Sequence, residues 1–111
     1  MTERGMRLEL AVETDDSQSE VRVIGDFDRV QVARFDRIAA NAHSGVQRFV
    51  VDLTPTTVID SAALGSLLRL RHALDDVQCD LVVVVSLPFQ ETVMRVGGLF
   101  DYLGVVVRPI D

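Results

Sequence analysis

The chain has 111 residues, 48% of them hydrophobic and 25% charged, the make-up of one compact globular domain with a core that needs neither disulfide nor metal. Its net charge of −6 disfavours direct contact with nucleic acid or an anionic membrane surface. All 11 cations are arginine, which removes lysine chemistry such as a Schiff base or a phosphate-loop lysine. A protein partner, one with a basic face, is compatible with such a charge.

Cys79, the single cysteine, cannot close an internal disulfide and reads as a packing residue. The N-terminus shows no leader pattern, and the longest apolar run, Leu81 to Val85, is far shorter than the roughly 18 residues a membrane span needs. The expected address is cytoplasmic, without a membrane. Disorder is expected only at Met1 to Gly5 and around Thr14 to Ser19.

Arg7 to Val12 alternates loosely and predicts a first strand. The polar stretch Glu13 to Ser19 reads as a loop, and Val21 to Gly25 as a second strand joined to the first in a hairpin. From Asp28 to His43 the period becomes helical, with Val32, Phe35, Ala39 and Ala42 on one face and Ser44-Gly45 ending the helix. Phe49-Val50-Val51 with Leu53 is nearly continuous apolar strand, followed by a short turn.

Asp60 or Ser61 then caps a second helix whose apolar stripe is Leu64, Leu67, Leu68 and Leu74, with Ser66, Arg69 and His72 outside it. Asp80 to Val85 is another buried strand. Ser86 and Pro88 introduce a third helix that stops at Gly97-Gly98, and Val105 to Val107 supplies a last strand closed by Pro109. Strand-helix-strand units imply parallel pairing through right-handed crossovers. The fold class is therefore α/β, a single domain over residues 1–111 with a mixed sheet of about five strands.

The segment Val50-Val51-Asp52-Leu53-Thr54 … Ile59-Asp60-Ser61-Ala62-Ala63-Leu64-Gly65 carries the most information about function. It sets one hydroxyl at the positive end of a helix, where an added phosphate is locally stabilised. On the residues alone, plain helix capping is the favoured explanation of Asp-Ser, because both are usual caps, and the two roles do not exclude each other. Ala62, Ala63 and Gly65 either open the first turn to a partner or serve close packing of helix on sheet.

This wording resembles the bacterial anti-sigma-factor antagonists of the STAS domain class. Gly25-Asp26-Phe27-Asp28 is similar to the Gly-Glu/Asp-Leu-Asp turn of that family, and Val93, Arg95, Val96 and Gly98-Leu99 to its C-terminal pattern. Ala62-Ala63 stands where many antagonists have Ser-Gly, which leaves Ser61 as the acceptor. The resemblance implies a non-enzymatic partner switch. The unphosphorylated protein binds an anti-sigma factor that is a serine kinase and so releases a sigma factor. The kinase phosphorylates Ser61 from ATP, the modified protein dissociates, and a serine phosphatase restores it.

Partner contacts would come from Asp26, Asp28, Asp60, Ser61, Ala62, Leu64 and Gly65; no cofactor is expected on this chain, and a monomer is favoured. The alternative is a non-switching STAS module in a signalling scaffold or a lipid-transport assembly. A small hydrolase using Ser61 is a distant third, since Gly-x-Ser-x-Gly is absent. His43 and His72 read as solvated helix residues, because neither has a metal-ligating neighbour at the required spacing.

Overall fold

The computed structural model describes residues 6–12, 17–42 and 45–109, the side chains of 6–12 and 42 excepted. The expectations for Met1 to Gly5, for residues 13–16, and for His43 and Ser44 lie outside the described residues. The elements run β1 (Met6–Val12), β2 (Gln18–Phe27), α1 (Val32–Ala42), β3 (Arg48–Asp52), β4 (Thr56–Ile59), α2 (Ser61–Asp76), β5 (Asp80–Val85), α3 (Pro88–Val96) and β6 (Val105–Val107).

The sheet order is β1-β2-β3-β5-β6, with β1 antiparallel to β2 and the later neighbours parallel. Successive parallel strands always step in one direction across the sheet. Right-handed crossovers then put every connecting helix on the same face. The core agrees. Val21 and Val23, Phe49 and Val51, and Leu81, Val83 and Val85 form one buried cluster with Phe35 and Ala39 of α1, Leu67, Leu70 and Leu74 of α2, and Met94 of α3. Period-two alternation sends Arg22, Val50, Asp52, Val82 and Val84 to the opposite face.

Four details differ from the sequence expectations. The loop expected over Glu13 to Ser19 ends early, because Gln18 and Ser19 already pair with Arg48 and Phe49. The first helix starts at Val32 rather than Asp28. Asp28 instead makes a turn, its Oδ1 accepting the Val30 N–H at 3.1 Å and its carbonyl the Gln31 N–H at 2.9 Å. Ser66, expected outside the α2 stripe, is fully buried and donates to Asp36 Oδ1 on α1.

The turn after β3 also contains a sixth strand. β2 is ten residues long. β3 pairs with its first half and β4 with its last three residues, Gly25, Asp26 and Phe27. Thr56, fully buried, donates its hydroxyl to the Val23 carbonyl at 2.6 Å. Gly25 donates to the Pro55 carbonyl at 3.1 Å, at a register shift where its φ of 90° suits glycine. Among the described residues, no helix is long and apolar enough to cross a membrane.

Candidate functional site

The pairing of β4 with β2 brings the two polar sequence signals together. Phe27 lies opposite Ile59 and Asp26 opposite Val58, so the chain leaving β2 and the chain entering α2 are neighbours. Asp60 joins them. Its Oδ1 accepts the Ala63 N–H at 2.9 Å, which makes it the N-cap of α2, and its Oδ2 accepts the Arg29 N–H at 2.8 Å. Its own N–H donates to the Phe27 carbonyl at 3.3 Å. The capping residue is thus Asp60 and not Ser61.

Ser61 is left as the exposed first residue of the helix. Among the described residues, its hydroxyl has no hydrogen-bond partner. Asp26 is half-buried and accepts the Thr57 hydroxyl at 3.0 Å, while Asp28 holds its own turn. Ala62 and Leu64 are half-buried, and Leu64 packs against the core cluster. A Cβ on Gly65 would meet only the Arg69 guanidinium, at 3.6 Å, so packing within the chain does not demand glycine there. Ala63, by contrast, is fully buried against the core.

Burial pushes the Asp60 carboxyl up, but the N–H groups of Ala63, Arg29 and Ala62 and the Arg29 guanidinium outweigh it. The net effect holds Asp60 below the usual aspartate range. The carboxylate beside Ser61 is therefore charged throughout the neutral range. Burial, with the Asp80 charge behind it, pushes the Cys79 thiol up, so it is a poor nucleophile. His72 is exposed and stands on α2 near Tyr102, with ring centroids 6.2 Å apart. Among the described residues, no group of three His, Cys, Asp or Glu side chains is placed to hold a metal ion.

One residue that sequence reasoning passed over supports the site from below. Gln90, fully buried on α3, donates its amide to the carbonyls of Leu53 at 2.7 Å, Thr54 at 3.3 Å and Thr56 at 2.9 Å. Its Oε1 accepts the N–H groups of Ser86 at 2.9 Å and Leu87 at 3.0 Å. One side chain so ties the backbone of the β3–β4 turn to that of the α3 start, and the Leu53 carbonyl also accepts the Thr56 N–H at 2.9 Å. Exposed apolar side chains decorate the same tied segments: Val30 after Arg29, Val58 on β4, and Phe89 beside Gln90.

A family model described as the Mlab, STAS domain matches residues 10–107. The chain belongs to the STAS domain family. Solved structures are similar to this STAS domain over most of their length. An anti-sigma factor antagonist from Mycobacterium paratuberculosis superposes with a TM-score of 0.75 at 22% identity, covering 89% of this chain and 85% of that one. The anti-sigma factor antagonist SpoIIAA in its unphosphorylated form gives 0.67 at 17% identity, covering 95% and 88%. The phosphorylated form of the Bacillus cell fate determinant SpoIIAA gives 0.64 at 16% identity, covering 96% and 92%. At such identities the shared property is the fold. No curated protein sequence matches this STAS domain significantly.

Proposed function

We propose that this STAS domain is an anti-sigma-factor antagonist controlled by phosphorylation of Ser61. Unphosphorylated, it binds an anti-sigma factor that is a serine kinase and so frees a sigma factor. The kinase, which carries the ATP and magnesium, transfers phosphate to Ser61, and a serine phosphatase reverses the change. The chain itself is a binding module and not an enzyme, and it works in the cytoplasm. The observation that carries this reading is the division of labour at the start of α2: Asp60 caps, and the exposed Ser61 hydroxyl is unengaged.

Electrostatics supports a switch. Phosphate adds about −1.5 to −2 charges and three acceptor oxygens at that point. The helix amides tolerate it, while Asp60, Asp26 and Asp28 make the surrounding surface acidic and repel it. An interface closed over Ser61 must also desolvate the dianion. The switch therefore acts on partner affinity and leaves the fold in place. Asp26, Asp28, Asp60, Ala62, Leu64 and Gly65 form the contact surface around it.

The rival reading is a non-switching STAS module in a signalling scaffold or lipid-transport assembly, with Ser61 as a contact residue only. Incubation with the cognate kinase and ATP, followed by mass-spectrometric mapping, separates the two. The switch requires one phosphate at Ser61 and none in Ser61→Ala. Phosphate elsewhere, at unchanged occupancy in that variant, overturns the assignment.

A further inference from the structure

The two edges of the sheet differ. β6 is three residues long and is followed by Pro109, a short edge of the kind that resists pairing. β1 is seven residues long, Met6-Arg-Leu-Glu-Leu-Ala-Val12, without proline or glycine. Among the described residues, no strand pairs with its outer side.

A row of alternating charge leads to that edge. Asp52, almost fully buried, lies opposite Arg22 in register, and the Arg22 Nε meets its Oδ2 at 3.2 Å. Arg22 in turn lies opposite Glu9 of β1. Across the face free of helices the order is negative, positive, negative, and the row ends at the sheet edge on a glutamate. A cation in the next strand position would continue it.

The β1 sequence can supply that cation from a second copy. In an antiparallel pair centred on Leu8, Leu8 lies opposite Leu8 of the second copy, and Met6 opposite its Leu10. Glu9 then lies opposite Arg7 of the second copy, and Arg7 opposite its Glu9. Centring the pair on Arg7 or on Glu9 instead sets like charges directly opposite each other, which is destabilising. Centring it between residues puts the core-side positions of one copy against the opposite face of the other.

We propose that β1 is a self-association edge, through which two copies pair antiparallel about Leu8 into one continuous sheet. The interface is isologous, with a two-fold axis normal to the sheet. Both helix layers fall on the same side. The two Ser61 ends point in opposite directions along the strands, so neither is covered. The inference does not rest on the Ser61 reading.

Sedimentation equilibrium of the full chain tests it, with circular dichroism confirming that each variant is folded. Wild type is expected to form a reversible dimer. Arg7→Glu and Glu9→Arg each place like charges opposite one another, twice per dimer, and should weaken association by about tenfold or more. Mixing the two variants restores opposite charges in both pairs, so the mixture should dimerise again.

Glu9→Arg also sets two arginines opposite each other in the β1–β2 register. If it fails to fold, air oxidation of Leu8→Cys gives the decisive result, because Cys79 is buried: the linked dimer on a non-reducing gel supports the pairing, and its absence overturns it. A wild type that stays monomeric to about 0.1 mM, or a dimer indifferent to both charge reversals, also overturns it.

Discussion

Asp60 and Arg29, 31 positions apart, are joined by a hydrogen bond of 2.8 Å from the Arg29 N–H to Asp60 Oδ2. The other oxygen of the same carboxylate caps α2 at Ala63, so one side chain sets both the helix start and the loop after β2. The geometry around Ser61 therefore depends on its neighbour rather than on Ser61 itself.

Asp60→Asn keeps a capping oxygen but turns an amide donor toward one of the two N–H groups. It should cost about 1 kcal/mol near neutral pH. The sign of its pH dependence follows from the lowered folded-state ionisation of Asp60. A depressed carboxyl contributes stability above its unfolded value of about 3.9 and loses it as pH falls further. The gap between wild type and variant should be widest at neutral pH and narrow below about pH 4, as read by urea unfolding at several pH values.

Ser61→Ala removes no cap, so its stability should stay within about 0.5 kcal/mol of wild type. Ser61→Asp puts a carboxylate beside the ionised Asp60 and should weaken partner binding, though less than phosphate, which carries more charge. Titration of one partner should rank wild type and Ser61→Ala tightest, then Ser61→Asp, then the phosphorylated protein. Phosphorylated protein that binds as tightly as wild type moves the scaffold reading ahead.

Asp26→Ala removes the acceptor of the Thr57 hydroxyl in a half-buried setting. Thermal stability should fall by no more than about 0.5–1 kcal/mol, while partner affinity or phosphorylation rate drops. Equal binding and equal phosphorylation would assign the residue to structure alone.

Gln90→Leu has similar volume but removes five hydrogen bonds to the backbone of two turns, and the Leu53 carbonyl keeps only its bond from the Thr56 N–H. A loss of about 3 kcal/mol is expected in chemical denaturation. The β3–β4 turn should also lose amide-exchange protection first, because it depends on this side chain.

Gly104→Ala tests the seam between β5 and β6. The added Cβ would lie 2.4 Å from the Leu81 carbonyl oxygen, at a φ of +64°. Both strain and overlap oppose it, and a loss of more than about 1 kcal/mol should appear as a lowered Tm.

The residues show plainly why some features were legible and others were not. Asp80 to Val85, Pro88 with Gly97-Gly98, and the Asp60-Ser61 helix start are local signals: apolar runs, a fixed φ, a side chain capping its own helix. Each acts within a few residues, and the structure has each where its signal stands. Strand β4 left no such mark, because Thr56 to Ile59 is held by partners more than 30 positions away on β2. Ser66 and Gln90 look like surface residues in the chain. Only Asp36 from another helix, and the carbonyls of the β3–β4 turn, make burying them affordable.

By itself, the sequence determined the α/β class, the order of the main elements and the identity of the Asp-Ser helix start, since hydrophobic period and capping chemistry are local. The tertiary structure decided which of Asp60 and Ser61 caps, how the Gly25–Asp28 turn comes to lie beside α2, and which charges share a row across the sheet. Those depend on register between distant strands, where a one-residue slip moves every side chain to the other face.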